Sequence, residues 1–174
     1  MHKTFRALRA AGALLCLTAT VAAAQNNSDH IATLISQAPN SGGYGVGASG
    51  RGGNRGAPAV TSETVANEVR ILAGGSAAER MVGAVLAGCP ATAVACPATA
   101  LANLLIAAGA PAAEVNALMQ ALTRLATNPN AGALQSAIAA YNNVVRAASA
   151  GFVNGPPAAF LAIEHALLAL RAGV

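Results

Sequence analysis

The chain has 174 residues, of which 9% are charged and 3% aromatic, with no Trp. A typical soluble domain carries roughly 25% charged residues, so this composition is too apolar for disorder throughout and too poor in charge for a salt-bridged coiled coil. Alanine fills 47 positions, which leaves too few β-branched and aromatic residues for an all-β sandwich.

The formal net charge of +4 is concentrated at the start of the chain. Lys3, Arg6 and Arg9 precede an uncharged, mostly apolar run, Ala10 to Ala24, that closes on Ala22-Ala23-Ala24. A basic start, a short apolar run and a small-residue end form the pattern of a secretory signal peptide, with cleavage after Ala24. Fifteen residues fall short of the roughly 20 that a membrane-spanning helix needs. Cys16 follows Leu15 rather than the small residue of a lipidation site, and belongs to the apolar run. Beyond residue 24 the chain keeps seven Arg and no Lys against six acidic residues, a balance of +1. The expectation is an exported protein, periplasmic or secreted. The clustered Lys and Arg of a nucleic-acid site are missing outside one short segment.

Residues 25–39 read as a short N-terminal helical segment. Asn27 or Ser28 would cap it, Asp29 suits the positive end of a helix dipole, and Pro39 ends it. Residues 40–60 read as a Gly-rich flexible linker, with eight Gly in the fifteen residues 42–56. Arg51-Gly52-Gly53, Arg55-Gly56 and Tyr44 also resemble a single-strand nucleic-acid tract, but export argues against that partner, and none is expected.

Residues 61–174 carry helical punctuation throughout. Thr61 or Ser62 caps a helix bearing Val65, Val69 and Leu72, stopped by Gly74-Gly75. Ser76-Ala77-Ala78-Glu79 is a capping box opening a helix with Met81, Val82, Val85 and Leu86. Pro97 and Pro111 each suit a first helical turn. The helices they open bear Leu101, Leu104, Leu105 and Ile106, then Val115, Leu118, Met119, Leu122 and Leu125. After the turn Asn128-Pro129-Asn130, the residues Leu134, Ile138, Tyr141, Val145 and Ala148 trace a core stripe, with Gln135, Asn142, Asn143 and Arg146 outside it. Pro156-Pro157 opens a last helix with Phe160, Ile163, Leu167 and Leu170 inside. The expected fold is all-α: a small Ala-rich bundle of five or six short helices. Ala has the best helix propensity but little area to bury, so these helices must approach closely and the core is thin.

Two cysteines follow the signal peptide, and they lie in a seven-residue repeat, Cys89-Pro90-Ala91-Thr92-Ala93-Val94-Ala95 and Cys96-Pro97-Ala98-Thr99-Ala100-Leu101-Ala102. Export favours their oxidation. Seven residues of straight helix rise about 10.5 Å, whereas a disulfide needs Cα atoms within about 7 Å. A Cys89–Cys96 bond therefore requires a bent segment, which Pro97 favours. The spacing matches neither C-x-x-C redox chemistry nor a zinc knuckle, and only His30 and His165 could complete a metal site. No metal or other cofactor is expected.

The catalytic inventory is equally sparse. Glu164 and His165 are adjacent, and read as polar-face residues of the last helix rather than an acid–base pair. No nucleophile elbow or phosphate-binding loop occurs. The expectation is a non-catalytic helical module that binds a protein partner or a small apolar ligand between helices, with Met81, Leu105, Met119 and Phe160 as residues to watch. Two alternatives stand beside it. The 33 residues from 81 to 113 carry no charge, which would suit a membrane-associated or membrane-active envelope protein. A self-associating structural subunit with the Gly-rich segment as an arm is the other.

Overall fold

A computed structural model describes residues 31–35, 59–88 and 96–173. The expected signal peptide at 1–24, most of the expected linker and Cys89 lie outside the described residues. Among those described there are seven helices and no strand. In chain order they are α1 (Ser62–Ala73), α2 (Ala77–Leu86), α3 (Pro97–Ala107), α4 (Ala112–Thr127), α5 (Ala131–Ala147), α6 (Ala150–Asn154) and α7 (Ala158–Ala172).

Local chemistry sets most of the boundaries. Thr61 caps α1: its hydroxyl accepts from the Thr64 N–H, and its own N–H donates to Thr64 Oγ1. This is a capping box with Thr in the place usually held by Glu. At α2 the Ser76–Glu79 box forms as its spacing predicts, with the Ser76 N–H donating to Glu79 Oε2 at 2.6 Å. Pro97 occupies the first turn of α3. Pro111 and Pro157 sit one step earlier than expected, as the capping residues of α4 and α7, so those helices start at Ala112 and Ala158. Asn130 and Ser149 cap α5 and α6 through their side chains. Gly88 and Gly109 follow α2 and α3 with φ of +85° and +100°, conformations that cost glycine least.

The helix beyond the five or six expected is α6, five residues that reverse the chain between α5 and α7 and bury Phe152. A segment this short has no periodicity to detect. Its Phe152 ring meets Phe160 edge-on at 5.0 Å, and Phe160 stacks on Tyr141 at 4.6 Å. These three aromatics join α5, α6 and α7 at one corner of the core.

Helix α7 is the hub, packing against α1, α2, α3 and α5. It buries eight residues, among them Phe160, Ile163, Leu167 and Leu170, and four of its alanines or neighbours complete the contact: Ala159, Ala162, Ala166 and the polar Glu164. A helix apolar on most of its circumference belongs in the middle of a domain. Helices α4 and α5 form the most extensive pair, where Ala133, Ala137 and Ala140 are all buried. Gly83 of α2 lies so close to α1 that an added Cβ would stand 3.0 Å from Leu72 Cβ. The uncharged stretch from 81 onward supplies core residues: Val82, Val85, Leu86, Leu101 and Leu105 are 2% exposed or less. No helix among the described residues is long and apolar enough to cross a membrane.

Three expectations are corrected. Residues 31–35 are not helical: they form an irregular segment lying on the bundle, held by long-range hydrogen bonds rather than by local ones. The α5 stripe ends on Val144, which is fully buried, with Val145 only half-buried. Asn142 and Glu164, assigned to outer faces from the pattern, are both buried.

Candidate functional site

Two places gather polar side chains. The first is buried. Asn142 in the middle of α5 is 1% exposed. Its Oδ1 accepts from the Ile35 N–H, and its Nδ2 donates to the Ile35 carbonyl, both at 2.8 Å. One amide thus satisfies both backbone groups of one residue. Beside it, Glu164 of α7 accepts from the Tyr141 hydroxyl at 2.7 Å and from the Thr33 hydroxyl at 2.5 Å. The Ala32 N–H donates to the Val153 carbonyl of α6 at 3.0 Å. Ala32 and Ile35 turn inward at 4% exposed, while Ile31 and Leu34 face out.

Burial and the neighbouring Glu164 both push the Tyr141 pKa far upward. Tyr141 therefore stays a proton-bearing donor, as its bond to Glu164 requires. The arrangement pairs each carboxylate oxygen with a hydroxyl and leaves no buried side-chain polar atom among the described residues unsatisfied. Its chemistry is that of a clasp holding residues 31–35. His165, adjacent to Glu164 in sequence, is exposed.

The second place is an open groove of about 690 Å³ between α3 and α4. Its α3 side is made of Ala98, Thr99, Ala102 and Asn103, and its α4 side of Asn116, Met119, Gln120, Thr123, Arg124 and Thr127. The groove exists because Ala98 and Ala102, one turn apart on the same face, are too small to fill the space between the helices. Thr123 and Thr127 donate to carbonyls of their own helix, at 2.9 and 3.0 Å. Asn103, Asn116 and Gln120 make no side-chain hydrogen bond among the described residues, so three amides offer both donors and acceptors to whatever enters. Among the described residues no carboxylate lines the groove, and Arg124 adds one positive charge. The volume falls in the range of small-molecule and peptide sites.

Of the four residues singled out from sequence, Leu105 and Phe160 are fully buried, and Met81 is a half-buried packing residue. Met119 alone reaches a site, on the groove floor. Cys96 sits half-buried before α3 with φ −78° and ψ 127°, an extended conformation rather than a helical one. Its expected partner, Cys89, lies outside the described residues. No cluster of three or more metal-ligating side chains occurs among the described residues. Sequence alone does not mark the groove amides, because exposed Asn and Gln on a helix carry no signal until a second helix stands opposite them. Compared with family models, curated proteins and solved structures, the chain has no match.

Proposed function

We propose that this chain is an exported, non-catalytic helical module that engages a partner through the α3–α4 groove. The observation that carries this reading is the set of three amides, Asn103, Asn116 and Gln120, lining one groove without side-chain hydrogen-bond partners among the described residues. Amides that donate and accept are suited to a neutral polar surface, such as an extended stretch of another protein, more than to the small apolar ligand that composition suggested. Arg124 and the missing carboxylates extend the range to acidic partners.

The export half of the proposal rests on the basic-apolar-small pattern of residues 1–24. A disulfide between Cys89 and Cys96 belongs with it, because export supplies oxidising conditions. The extended backbone at Cys96 meets, at that end, the requirement for a bent segment. Closing eight residues would stabilise the domain by about 2.5 kcal/mol on the chain-entropy model.

The test is expression of the full chain in an exporting bacterial host, followed by intact mass of the fractions. The expected species begins at Gln25 and is lighter by two hydrogens. An unprocessed chain confined to the cytosol overturns export. For the groove, nuclear magnetic resonance titration with short neutral and acidic peptides should perturb Asn103, Asn116 and Gln120 together. Perturbations scattered over the surface, or none, would overturn the site.

A further inference from the structure

We propose that the cleft formed by α5, α6 and α7, which holds residues 31–35 of its own chain, also accepts the same segment from a second copy. The cleft recognises little that is unique to attachment in cis. Three of its four hydrogen bonds go to backbone groups, at Ala32 and at both polar atoms of Ile35. The fourth takes the Thr33 hydroxyl. Two inward-facing side chains, Ala32 and Ile35, complete the fit. The pattern is a small residue, a hydroxyl, a free position and an aliphatic. Ala-Thr-Leu-Ile occurs once in the sequence, so an alternative occupant of this kind comes from another copy.

The cleft also resists being empty. Without an occupant, Asn142 would lose both of its partners, and the apolar surface that buries Ala32 and Ile35 would face water. Occupation from either source restores the same bonds. Reach permits both sources. Residues 36–58 put 23 residues between the docked segment and Ala59, a chain that spans up to about 75–80 Å at full extension. A domain of about 100 residues has a radius of gyration near 13 Å. The segment can therefore stand on a neighbour while its own domain remains folded. Cis and trans docking differ chiefly in the entropy of association, and exchange of an identical element is a low-cost route to dimers. Effective concentrations for a tether of this kind are millimolar, so the native chain is expected to exchange only when crowded.

Two full-length variants separate the halves. Asn142→Ala with Glu164→Ala spoils the cleft and keeps the segment. Ile35→Glu spoils the segment and keeps the cleft. Each alone is expected to sediment as a monomer. An equimolar mixture, with one partner isotope-labelled, should give a one-to-one heterodimer by native mass at a protein concentration roughly ten-fold or more below that at which the native chain dimerises, because cis competition is gone. A mixture that stays monomeric, with both variants helical by circular dichroism, overturns the proposal. Should either variant fail to fold alone, the two are refolded together from denaturant: soluble labelled–unlabelled dimers support exchange, and their absence overturns it.

Discussion

Asn142 shows how much one side chain can organise. Its amide closes two hydrogen bonds onto Ile35 across 107 positions of sequence. Removing it leaves a buried N–H and a buried carbonyl without partners, at a cost of roughly 1–3 kcal/mol. Asn142→Ala is therefore expected to lower the unfolding free energy by about that amount in urea titration, with helix content retained. Glu68 is the opposite case, a carboxyl that burial makes uncomfortable. It is 4% exposed, and desolvation pushes its pKa up. An acid whose folded-state pKa is raised holds its proton more tightly in the folded chain. It favours folding at low pH, and stability falls as pH climbs from the unfolded value near 4.3 through the raised one. Glu68→Gln should therefore match the native chain below about pH 4 and melt at a higher temperature at neutral pH, as thermal melts across that range would show. Glu79 shifts the other way, its carboxylate stabilised chiefly by the Ser76 backbone N–H. Its contribution is present above the unfolded value and lost as pH falls through the lowered one.

At the scale of the elements, the capping chemistry does the work of placing helices. Ser76 and Glu79 start α2, and Gly88 and Gly109 stop the helices before them. Small residues then decide how close the helices come. Gly83 stands where α2 crosses α1, with Leu72 already in contact range of any added Cβ. Gly83→Val puts a branched side chain into that contact. Overpacking of this kind costs typically 1–3 kcal/mol, and the expected result is a lower denaturation midpoint with the slope unchanged. The groove between α3 and α4 has the same origin in reverse. Ala98 and Ala102 leave space that larger side chains would occupy, and the polar residues of α4 border it.

At the scale of the whole molecule, a thin Ala-rich core is held by three long-range devices. Helix α7 contacts four other helices. The aromatic trio Tyr141, Phe152 and Phe160 ties its start to α5 and α6. Residues 31–35 cross to the same corner and cap it. A disulfide at Cys96, as proposed above, would be a fourth staple. If Cys89 is its partner, reduction should lower stability by about 2.5 kcal/mol. Urea titration with and without reductant checks this, and peptide mapping of the oxidised chain identifies the second cysteine.

The sequence by itself determined every described helix but α6. Helix type, order and most ends follow from local rules: a hydroxyl or amide at the start, Pro in or just before the first turn, Gly after the last, and a 3.6-residue apolar period between them. Each of those signals acts within a few residues, so it survives without knowledge of the fold. The core residues of α4 and α7 were legible for the same reason. What only the tertiary structure decided are the features that need two distant segments at once. Asn142 and Glu164 look like outer-face residues until residues 31–35 arrive to cover them and share hydrogen bonds with them. Those five residues have local helical signals, yet the 31–35 segment trades helical bonds for contacts with α5, α6 and α7. The α3–α4 groove belongs to neither helix alone. A buried polar group is tolerable only beside its partner, and periodicity along one helix holds no record of which partner that is.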